Sequence, residues 1–423
     1  MFCQLEVLRH CFPPSVRHIL EELPDSLDET YERILKEIRK PNQALAHRLM
    51  QCLVAAARPL RVKELAEVLA FDFNTEGIPM LNQNWRWDDQ EEAVMSACSS
   101  LVTIVKDEDT QIVQFSHFSV KEFLTADRLA EPIRDVSRYH IRLEAAHMIL
   151  AQACLGVLLG LDDQVDRDSI EGFPLARYAA AYWPRHAQFG SVSARIKDGM
   201  ECLFDEDKTH FATWLWIYYG HGTMRPGKTQ TAPLHRAIEL GLRDMAEHLI
   251  AKHPEHVNAR RIETPVHIAT KAGYADILAL LLEHGADVDS RDGDGSTPLH
   301  WAAYHGTLGV GRCALDRGAD VNARANDKLT PLSDAARKGH VEFARMLLER
   351  GALINVRDDQ GRTPLSWAVA RGHVQVARLL LEYGADANAS DGSGSTPSQS
   401  TTKQEILELL SEYGAKSAGV ESE

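Results

Sequence analysis

The stretch Gly222 to Thr229, GTMRPGKT, has residue types and spacing that could hold a phosphate. It fits G-x-x-x-x-G-K-[ST], in which backbone N–H groups of a loop surround a nucleotide phosphate and the lysine neutralises it. That chemistry needs a buried strand before the loop and a helix that starts at the lysine. Here Pro233 would fall inside such a helix and break it, and no apolar strand ending in Asp follows to hold magnesium. The pattern therefore predicts a linker, and we expect no nucleotide cofactor.

The composition limits the classes of function. The chain has 423 residues, 44% of them hydrophobic and 25% charged, which is typical of a soluble protein with two to four domains. A net charge of -15 disfavours a nucleic-acid partner. The absence of a run of about 18 apolar residues disfavours a membrane partner. Seven scattered cysteines, with no C-x-x-C spacing, predict reduced thiols and no zinc site. We expect an intracellular protein, cytoplasmic or nuclear, that is monomeric on its own.

The C-terminal half contains a sequence repeat. Units that open with T-P start at Thr264, Thr297, Thr330 and Thr363, so that each lies 33 residues after the last. They continue with a run such as ALLLE or RMLLE and end with a turn such as GADVN. This pattern resembles the ankyrin repeat. An irregular unit precedes the four regular ones and another follows them, which predicts about six units over residues 232–415, with residues 416–423 as a tail.

The recurring residues have physical reasons. Threonine before the helix offers an oxygen to free backbone N–H groups, and proline in the first turn needs no hydrogen bond of its own. Gly306, Gly339 and Gly372 are placed to end the first helix of a unit in a left-handed conformation. Lys328 stands in the projecting turn, or finger, where the neighbouring units have glycine, and it predicts a strained turn there.

Histidines recur at fixed repeat positions but predict no metal site. One position carries His235, His267 and His300, and another carries His340 and His373. No convergent set of Cys, His and Asp accompanies them. We expect each of these histidines to bond the cap and the turn of its own repeat.

The N-terminal half predicts helix, helix, helix and a two-stranded hairpin, the order of a winged helix. Ser26 and Glu29 predict a capping box at the first helix start, and Ser119 and Glu122 predict a second box after the hairpin. Further helices are expected at NQALAHRLMQCLVAAA, RVKELAEVLAF and DDQEEAVMSACSS, and strands at LVTIV and QIVQF. The apolar stripe of the first helix is expected to comprise Leu27, Ile34, Leu35 and Ile38.

Several segments resemble a known class of proteins. CQLEVLRHC, LPDSLDETYERIL and FSHFSVKEFL resemble the region after the nucleotide-binding core of fungal NACHT–ankyrin proteins, which belong to the signal-transducing NTPases. YAAAYWPRHAQ and FATWLWIYY resemble the helical spacer before their repeats. The resemblance implies a helical remnant at 1–40, a winged helix at 41–130, a spacer and linker at 131–231, and ankyrin repeats. The predicted fold class is mainly α.

The same resemblance concerns His117 and the start of the chain. In related NTPases the histidine at the place of His117 touches the nucleotide phosphate, so that His117 is a vestigial nucleotide-sensing candidate. Because no upstream loop accompanies it, we expect a histidine that packs the corner between strand and helix. The nucleotide-binding core that the family places before the winged helix is not in this sequence. We therefore expect either an incomplete gene prediction or a relative that has lost its core.

Three functions remain open at this stage. The leading hypothesis is a non-enzymatic scaffold or regulator that binds another protein through its repeats. A DNA-reading winged helix is disfavoured because its predicted recognition helix begins with Asp88, Asp89, Glu91 and Glu92, which phosphates repel; a transcriptional coregulator that acts through protein contacts avoids this objection. The third hypothesis is a truncated NACHT-type signalling switch.

The repeat register predicts the binding surface. In each unit the residue after T-P-L-[HS] and those three and four positions later project to the concave side, and the fingers add charged residues. Two tryptophans at one repeat position, beside Tyr and Arg, have the composition of an interface hot spot; the alternative is that each Trp packs against the adjacent repeat. The predicted protein-binding residues are Ile268, Trp301, Tyr304, His305, Asp334, Arg337, Lys338, Trp367, Arg371, Asp292, Asp294, Asp327, Asp359 and Arg362.

Overall fold

The computed structural model describes residues 26–74, 77–98, 100–107, 110–131, 135–162, 164–220, 232–260 and 263–415. The chain forms two compact units that divide between Gln230 and Thr231. The stretch Gly222 to Thr229, the segment CQLEVLRHC and the predicted tail lie outside the described residues. Among the described residues, no helix has both the length and the apolar character needed to cross a membrane.

The first unit begins with helices around a small antiparallel sheet. The sheet has the strand order β1-β3-β2, with Val113 opposite Leu60 on one side and opposite Ile104 on the other. This is the order of elements that the sequence predicts for a winged helix. The elements are α1 Leu27–Glu37, α2 Gln43–Ala55, β1 Leu60–Arg61, α3 Val62–Leu69, α4 Gln90–Cys98, β2 Val102–Asp107, β3 Thr110–Phe115 and α5 Phe118–Thr125.

The helix starts confirm one predicted cap and correct another. Ser26 caps α1, since its side chain accepts a hydrogen bond from the Glu29 N–H at 3.2 Å. The predicted cap at Ser119 is wrong, because α5 already begins at Phe118 and the residue that caps it is His117. The Nδ1 atom of His117 accepts from the Ser119 N–H at 3.3 Å. An imidazole nitrogen can accept in place of a hydroxyl, so the helix starts two residues earlier than predicted.

The predicted stripe of α1 needs a smaller correction. Leu35 and Tyr31 are buried, whereas Leu27 is 39% exposed. The cover over α1 comes from α5, where the rings of Phe123 and Tyr31 have centroids 5.4 Å apart. Leu27 lies one helical turn before this contact and is left at the surface.

The first unit ends in a helical spacer. Its long helix α6 is buried along most of its length and packs against α2 and α7. An aromatic cluster closes the spacer: the ring centroids of Trp183 and Trp214 lie 5.4 Å apart, and the Trp214 indole donates to the Ala180 carbonyl at 2.9 Å. The spacer helices are α6 Leu143–Leu159, α7 Ala176–Ala187, α8 Val192–Arg195, α9 Lys197–Leu203 and α10 His210–Tyr218.

The second unit is a stack of helix pairs. Inner helices pack on inner helices, and outer helices on outer helices, from one pair to the next. The pairs are α11 Pro233–Glu239 with α12 Arg243–Lys252, α13 Pro265–Ala272 with α14 Ala275–Glu283, α15 Pro298–His305 with α16 Leu308–Asp316, α17 Pro331–Lys338 with α18 Val341–Glu349, and α19 Pro364–Arg371 with α20 Val374–Glu382. The last unit has the short 3-10 helix Pro397–Ser400 and α21 Gln404–Glu412.

The predicted role of the cap threonine is confirmed in two repeats. The side chains of Thr330 and Thr363 each accept from a serine N–H at 3.3 Å, whereas the hydroxyls of Thr264 and Thr297 pair with Nδ1 of a histidine three residues later. Gly339 has φ 83°, and a Cβ there would lie 2.6 Å from Nδ1 of His373, so both the conformation and the space require glycine. Lys328 has φ 63° and is the non-glycine residue with positive φ among the described residues. The strained finger that the sequence predicts is therefore present.

Candidate protein-binding groove

The inner helices α13, α15, α17 and α19 place one residue of each repeat in a common row. The row consists of Ile268, Trp301, Asp334 and Trp367, and we call it the inner row. Its members differ in exposure: Ile268 and Trp301 are half-buried, while Asp334 is 5% and Trp367 is 8% exposed. The predicted register is therefore right, but two of its four residues lie mostly inside the protein.

A carboxylate in the preceding finger holds each tryptophan of the inner row. The Trp301 indole N–H donates to Oδ2 of Asp292 at 2.7 Å, and that of Trp367 donates to Oδ2 of Asp358 at 3.0 Å. In both fingers the second oxygen of the same carboxylate accepts backbone N–H groups; Oδ1 of Asp292, for example, accepts from Ser296 at 2.9 Å. Each carboxylate thus folds its finger and fixes one indole.

These contacts correct one predicted finger residue and add another that was not predicted. Asp292 is 8% exposed and serves its own finger and Trp301, so it is not a free surface charge. The equivalent residue two repeats later is Asp358. The sequence analysis missed Asp358 and named the neighbouring, exposed Asp359 instead. The signal was available, because Asp358 stands nine residues before Trp367 as Asp292 stands before Trp301.

The repeat between the two tryptophans lacks this pair. Ala325 occupies the finger position of the aspartate, and Asp334 occupies the helix position of the tryptophan. Asp334 is buried, and its Oδ1 lies 2.7 Å from Nη2 of Arg337. Burial raises the pKa of Asp334 to about 7, and the Arg337 charge opposes that rise only in part. This buried aspartate is a second correction, since it was predicted to project into solvent.

The substitution leaves a cleft. Its volume is about 360 Å³, and its walls include Trp301 and Tyr304 on α15 and Asp334 and Arg337 on α17. Asp294 and Asp327, both exposed finger residues, also line it. At the repeat position where the neighbouring units carry tryptophan, this unit carries the smaller Asp334, which lines the space without filling it. The groove therefore combines an aromatic wall with charged groups and room for a side chain.

Cations lie over the aromatic rings along the groove. The Lys271 Nζ atom is 3.6 Å from the Trp301 ring centroid, and the Lys338 Nζ atom is 4.0 Å from that of Tyr304. The Arg362 guanidinium lies 3.7 Å from the Trp367 ring centroid and also pairs with Asp358. Contacts of this kind contribute about 0.5–2 kcal/mol each. They hold the aromatic side chains in fixed orientations before any partner arrives.

The remaining predicted residues lie around these aromatic rings. Lys338 and Arg371 are exposed and have no carboxylate partner among the residues that the structure describes. The His305 ring stacks on Trp301 with 5.9 Å between centroids. Partial burial lowers the pKa of His305, and the positive charges of Lys271 and Lys338 lower it further. The lowered pKa favours the neutral form of His305, which contributes a flat polar surface.

The periodic histidines are hydrogen-bonded structural residues. Nδ1 of His300 and the Thr297 hydroxyl are 2.9 Å apart, and Nε2 of His300 and the Leu329 carbonyl oxygen are 3.1 Å apart. The bond to the cap of the same repeat is as predicted. The second bond reaches the residue before the next repeat, so His300, like His267, links two units rather than closing its own turn. His340 and His373 instead pair with carbonyl oxygens of the preceding unit, those of Tyr304 and Arg337.

His117 is not packed into a corner as predicted. Its ring is exposed, caps α5 and lies beside Phe118, with 4.4 Å between the ring centroids. Its role as a vestigial nucleotide sensor stays a prediction.

Comparison with known proteins finds matches in both units. Residues 234–325, 312–391 and 358–417 match the family described as ankyrin repeats (3 copies). The second unit is an ankyrin-repeat array. Residues 31–133 match the winged helix domain of GPI inositol-deacylase. This match begins inside the segment predicted as a helical remnant, so that most of α1 lies within it. The ankyrin and winged-helix parts of the predicted resemblance are supported, and a NACHT relationship is not shown by these matches.

Two curated proteins are similar to parts of this chain. The azaphilone pigments biosynthesis cluster protein L of Monascus ruber is 32% identical over 295 residues, which cover 64% of this chain. The chain spans 61% of the length of that relative. The BCL-6 corepressor-like protein 1 of Mus musculus is 42% identical over 65 residues, which cover 15% of this chain and 4% of that protein.

Proposed function

We propose that this chain is a non-enzymatic protein that binds another protein in the groove lined by α15, α17 and the fingers before them. The observation that carries the proposal is the cleft of about 360 Å³ between Trp301 and Tyr304 on one side and Asp334 and Arg337 on the other. Aromatic and arginine side chains around a partly enclosed space are the composition of interface hot spots. Ankyrin repeats are a fold that presents such surfaces to protein partners.

The orientation of these side chains supports binding at low entropic cost. Trp301 is held by Asp292, Tyr304 by Lys338, and Arg337 by Asp334, so that each is ordered without a partner. Fixing a flexible side chain on association costs about 0.5–1.5 kcal/mol. A groove with pre-ordered side chains avoids much of this cost. Lys338 and Arg371 remain exposed and available for pairing with acidic groups of a partner.

A regulator of transcription that acts through protein contacts is a second proposal. Its support is the likeness of a 65-residue stretch to the mouse corepressor-like protein, together with the charge of α4. Glu91 and Glu92 in the first turn of α4 are exposed, and Asp88 and Asp89 before it are exposed as well. A helix with this charge repels the phosphates of DNA. Such a protein would reach DNA through a partner.

Binding is tested by capture with paired variants of the full chain. The groove variant is Tyr304→Ala with Lys338→Glu, which removes one aromatic wall and reverses one exposed charge. The matched control is Tyr383→Ala with Arg312→Glu, which changes an exposed tyrosine and an exposed arginine on the outer side of the repeats. Quantitative mass spectrometry compares the captured proteins. The proposal expects a protein that is held by the wild type and the control and lost by the groove variant; equal recovery by all three would refute it.

A further inference from the structure

The first repeat departs from the others after its outer helix. In the regular units the residue that ends the outer helix is followed by a glycine, as in His284-Gly285, and Gly285 has φ 83°. In the first unit His253 ends α12, and Pro254 follows it. Proline cannot take positive φ, because its ring fixes φ near −65°. The chain therefore continues as the 3-10 helix Pro254–Asn258 instead of turning.

This 3-10 helix brings three ligating side chains together. The rings of His253 and His256 stack with 5.2 Å between centroids and 21° between planes. Glu255 lies beside both rings, and the ligand atoms of all three residues lie within 4.8 Å of one another. Two imidazoles and one carboxylate are a ligand set used for zinc and other transition metals.

The distances suit a shared ion better than direct hydrogen bonds. Oε1 of Glu255 lies 3.4 Å from Nδ1 of His253 and 3.9 Å from Nε2 of His256. An N–H···O bond spans about 2.7–3.2 Å. Zinc bonds of about 2.0–2.1 Å in a tetrahedral site place ligand atoms roughly 3.4 Å apart. The spacing between Glu255 and His253 already has this value, and that between Glu255 and His256 needs to shorten by a few tenths of an ångström. The two imidazole nitrogens lie within 4.8 Å of each other, so the stacked rings must also rotate for both to face one ion.

The segment is also held in place by the next repeat. The Asn258 side chain donates to the Gly285 carbonyl at 2.9 Å, and its oxygen accepts from the Asp287 N–H at 3.0 Å. The backbone N–H of His253 donates to Leu249 at 2.8 Å, and that of His256 donates to His253 at 3.0 Å. Both ends of the cluster are thus fixed, which reduces the cost of ordering the ligands around an ion.

We propose that His253, Glu255 and His256 form a binding site for one divalent ion of the zinc type. The ligand atoms are Nδ1 of His253, Oε1 of Glu255 and Nε2 of His256. Three protein ligands leave the fourth tetrahedral position open to water or to a ligand from another molecule. The side chains of both histidines are 26% exposed, so that an ion reaches them from solvent. Bound metal would tie the end of α12 to the 3-10 helix.

The test is a calorimetric titration of the full chain with zinc chloride after dialysis against a chelator. The variants are His253→Ala with His256→Ala, and separately Glu255→Gln, which keeps the size of the side chain and removes its charge. The matched control is His284→Ala, because His284 ends the outer helix of the next repeat, no second histidine lies in its turn, and the neighbouring Glu283 pairs with Arg317. Since thiols are zinc ligands in general, the number of ions is compared between variants. Circular dichroism checks that each variant is folded.

The proposal expects one ion fewer per chain in the double histidine variant than in the wild type. Glu255→Gln should weaken uptake of that ion at least ten-fold, and His284→Ala should leave it unchanged. Zinc should also raise the melting temperature of the wild type but not of the double variant, because ligand binding to the native state stabilises it. An unchanged number and affinity of bound ions in the double variant would overturn the site, as would an equal loss in His284→Ala.

Discussion

The two repeats that contain Trp301 and Trp367 and the repeat between them share one backbone but differ at the groove. In the repeats of Trp301 and Trp367, an aspartate of the finger anchors a tryptophan of the inner helix. In the middle repeat, Ala325 and Asp334 replace that pair and a cleft remains. All three inner helices begin after a threonine and end at a left-handed glycine. The comparison shows that the repeat pattern fixes the scaffold, whereas the two exchangeable positions determine the shape and charge of the groove.

The two tryptophans should differ in their effect on stability, and this is the largest effect that we expect. Trp367→Ala should lower the free energy of unfolding by about 3–5 kcal/mol, because Trp367 is only 8% exposed and its removal leaves a cavity. Trp301→Ala, at a half-buried position, should cost about half as much. Urea unfolding of the full chain measures both. Equal losses would mean that the two tryptophans have the same structural role.

The anchoring aspartates should be the next most important. Asp358→Ala should destabilise the protein by about 2–3 kcal/mol, because it leaves the buried Trp367 indole and two backbone N–H groups of the finger without an acceptor. Asp359→Ala changes the adjacent, exposed aspartate and should alter stability by less than about 0.5 kcal/mol. Denaturant midpoints distinguish the two variants. A similar loss for both variants would show that the finger needs negative charge in general, and that the hydrogen bond from Asp358 to the indole is not the cause.

Asp334 should make stability depend on pH. Its folded pKa is raised to about 7, above the unfolded value of about 3.9, so folding favours the protonated form. The stability from this group is fully present below pH 4 and is lost as the pH rises towards and through 7. Asp334→Asn should therefore reduce the fall in unfolding free energy between pH 5 and pH 8 by on the order of 1–2 kcal/mol. Identical pH profiles of wild type and variant would contradict this interpretation.

Lys328 should give the smallest effect. Lys328→Gly should raise the free energy of unfolding by about 1 kcal/mol, because glycine adopts a φ of 63° without steric cost. Gly295, at the same position one repeat earlier, offers the reverse test. Gly295→Ala should destabilise, since a Cβ there would lie 2.4 Å from Oδ1 of Asn326. Thermal unfolding measures both changes, and a loss of stability in Lys328→Gly would show that the lysine side chain is needed in this finger.

The sequence predicts the repeats well because their signals are local. Thr330 before a helix, Gly339 after it and Lys328 in the finger each act within a few residues, and all three were assigned the conformations that the structure shows. Burial depends on neighbouring units and was less predictable. Asp334 was expected at the surface because its sequence position matches Trp301, but the adjacent helices cover it.

Two further misses have causes of their own. Asp358 was overlooked because its partner is a tryptophan in another element, and nothing in the finger itself distinguishes it from Asp359. The cluster at His253 was missed because metal ligands were sought among the periodic histidines. Its signal was the replacement of a repeat glycine by Pro254, which predicts a changed turn only once the regular turn is known.

The central claim is that a protein partner binds in the groove lined by α15, α17 and the fingers before them. The most direct test is the dissociation constant of a captured partner, measured for the wild type, for Tyr304→Ala with Lys338→Glu, and for Tyr383→Ala with Arg312→Glu. The account predicts a loss of about 2 kcal/mol or more, roughly 30-fold in affinity, for the first variant and no change for the second. An unchanged dissociation constant in a folded groove variant would contradict it.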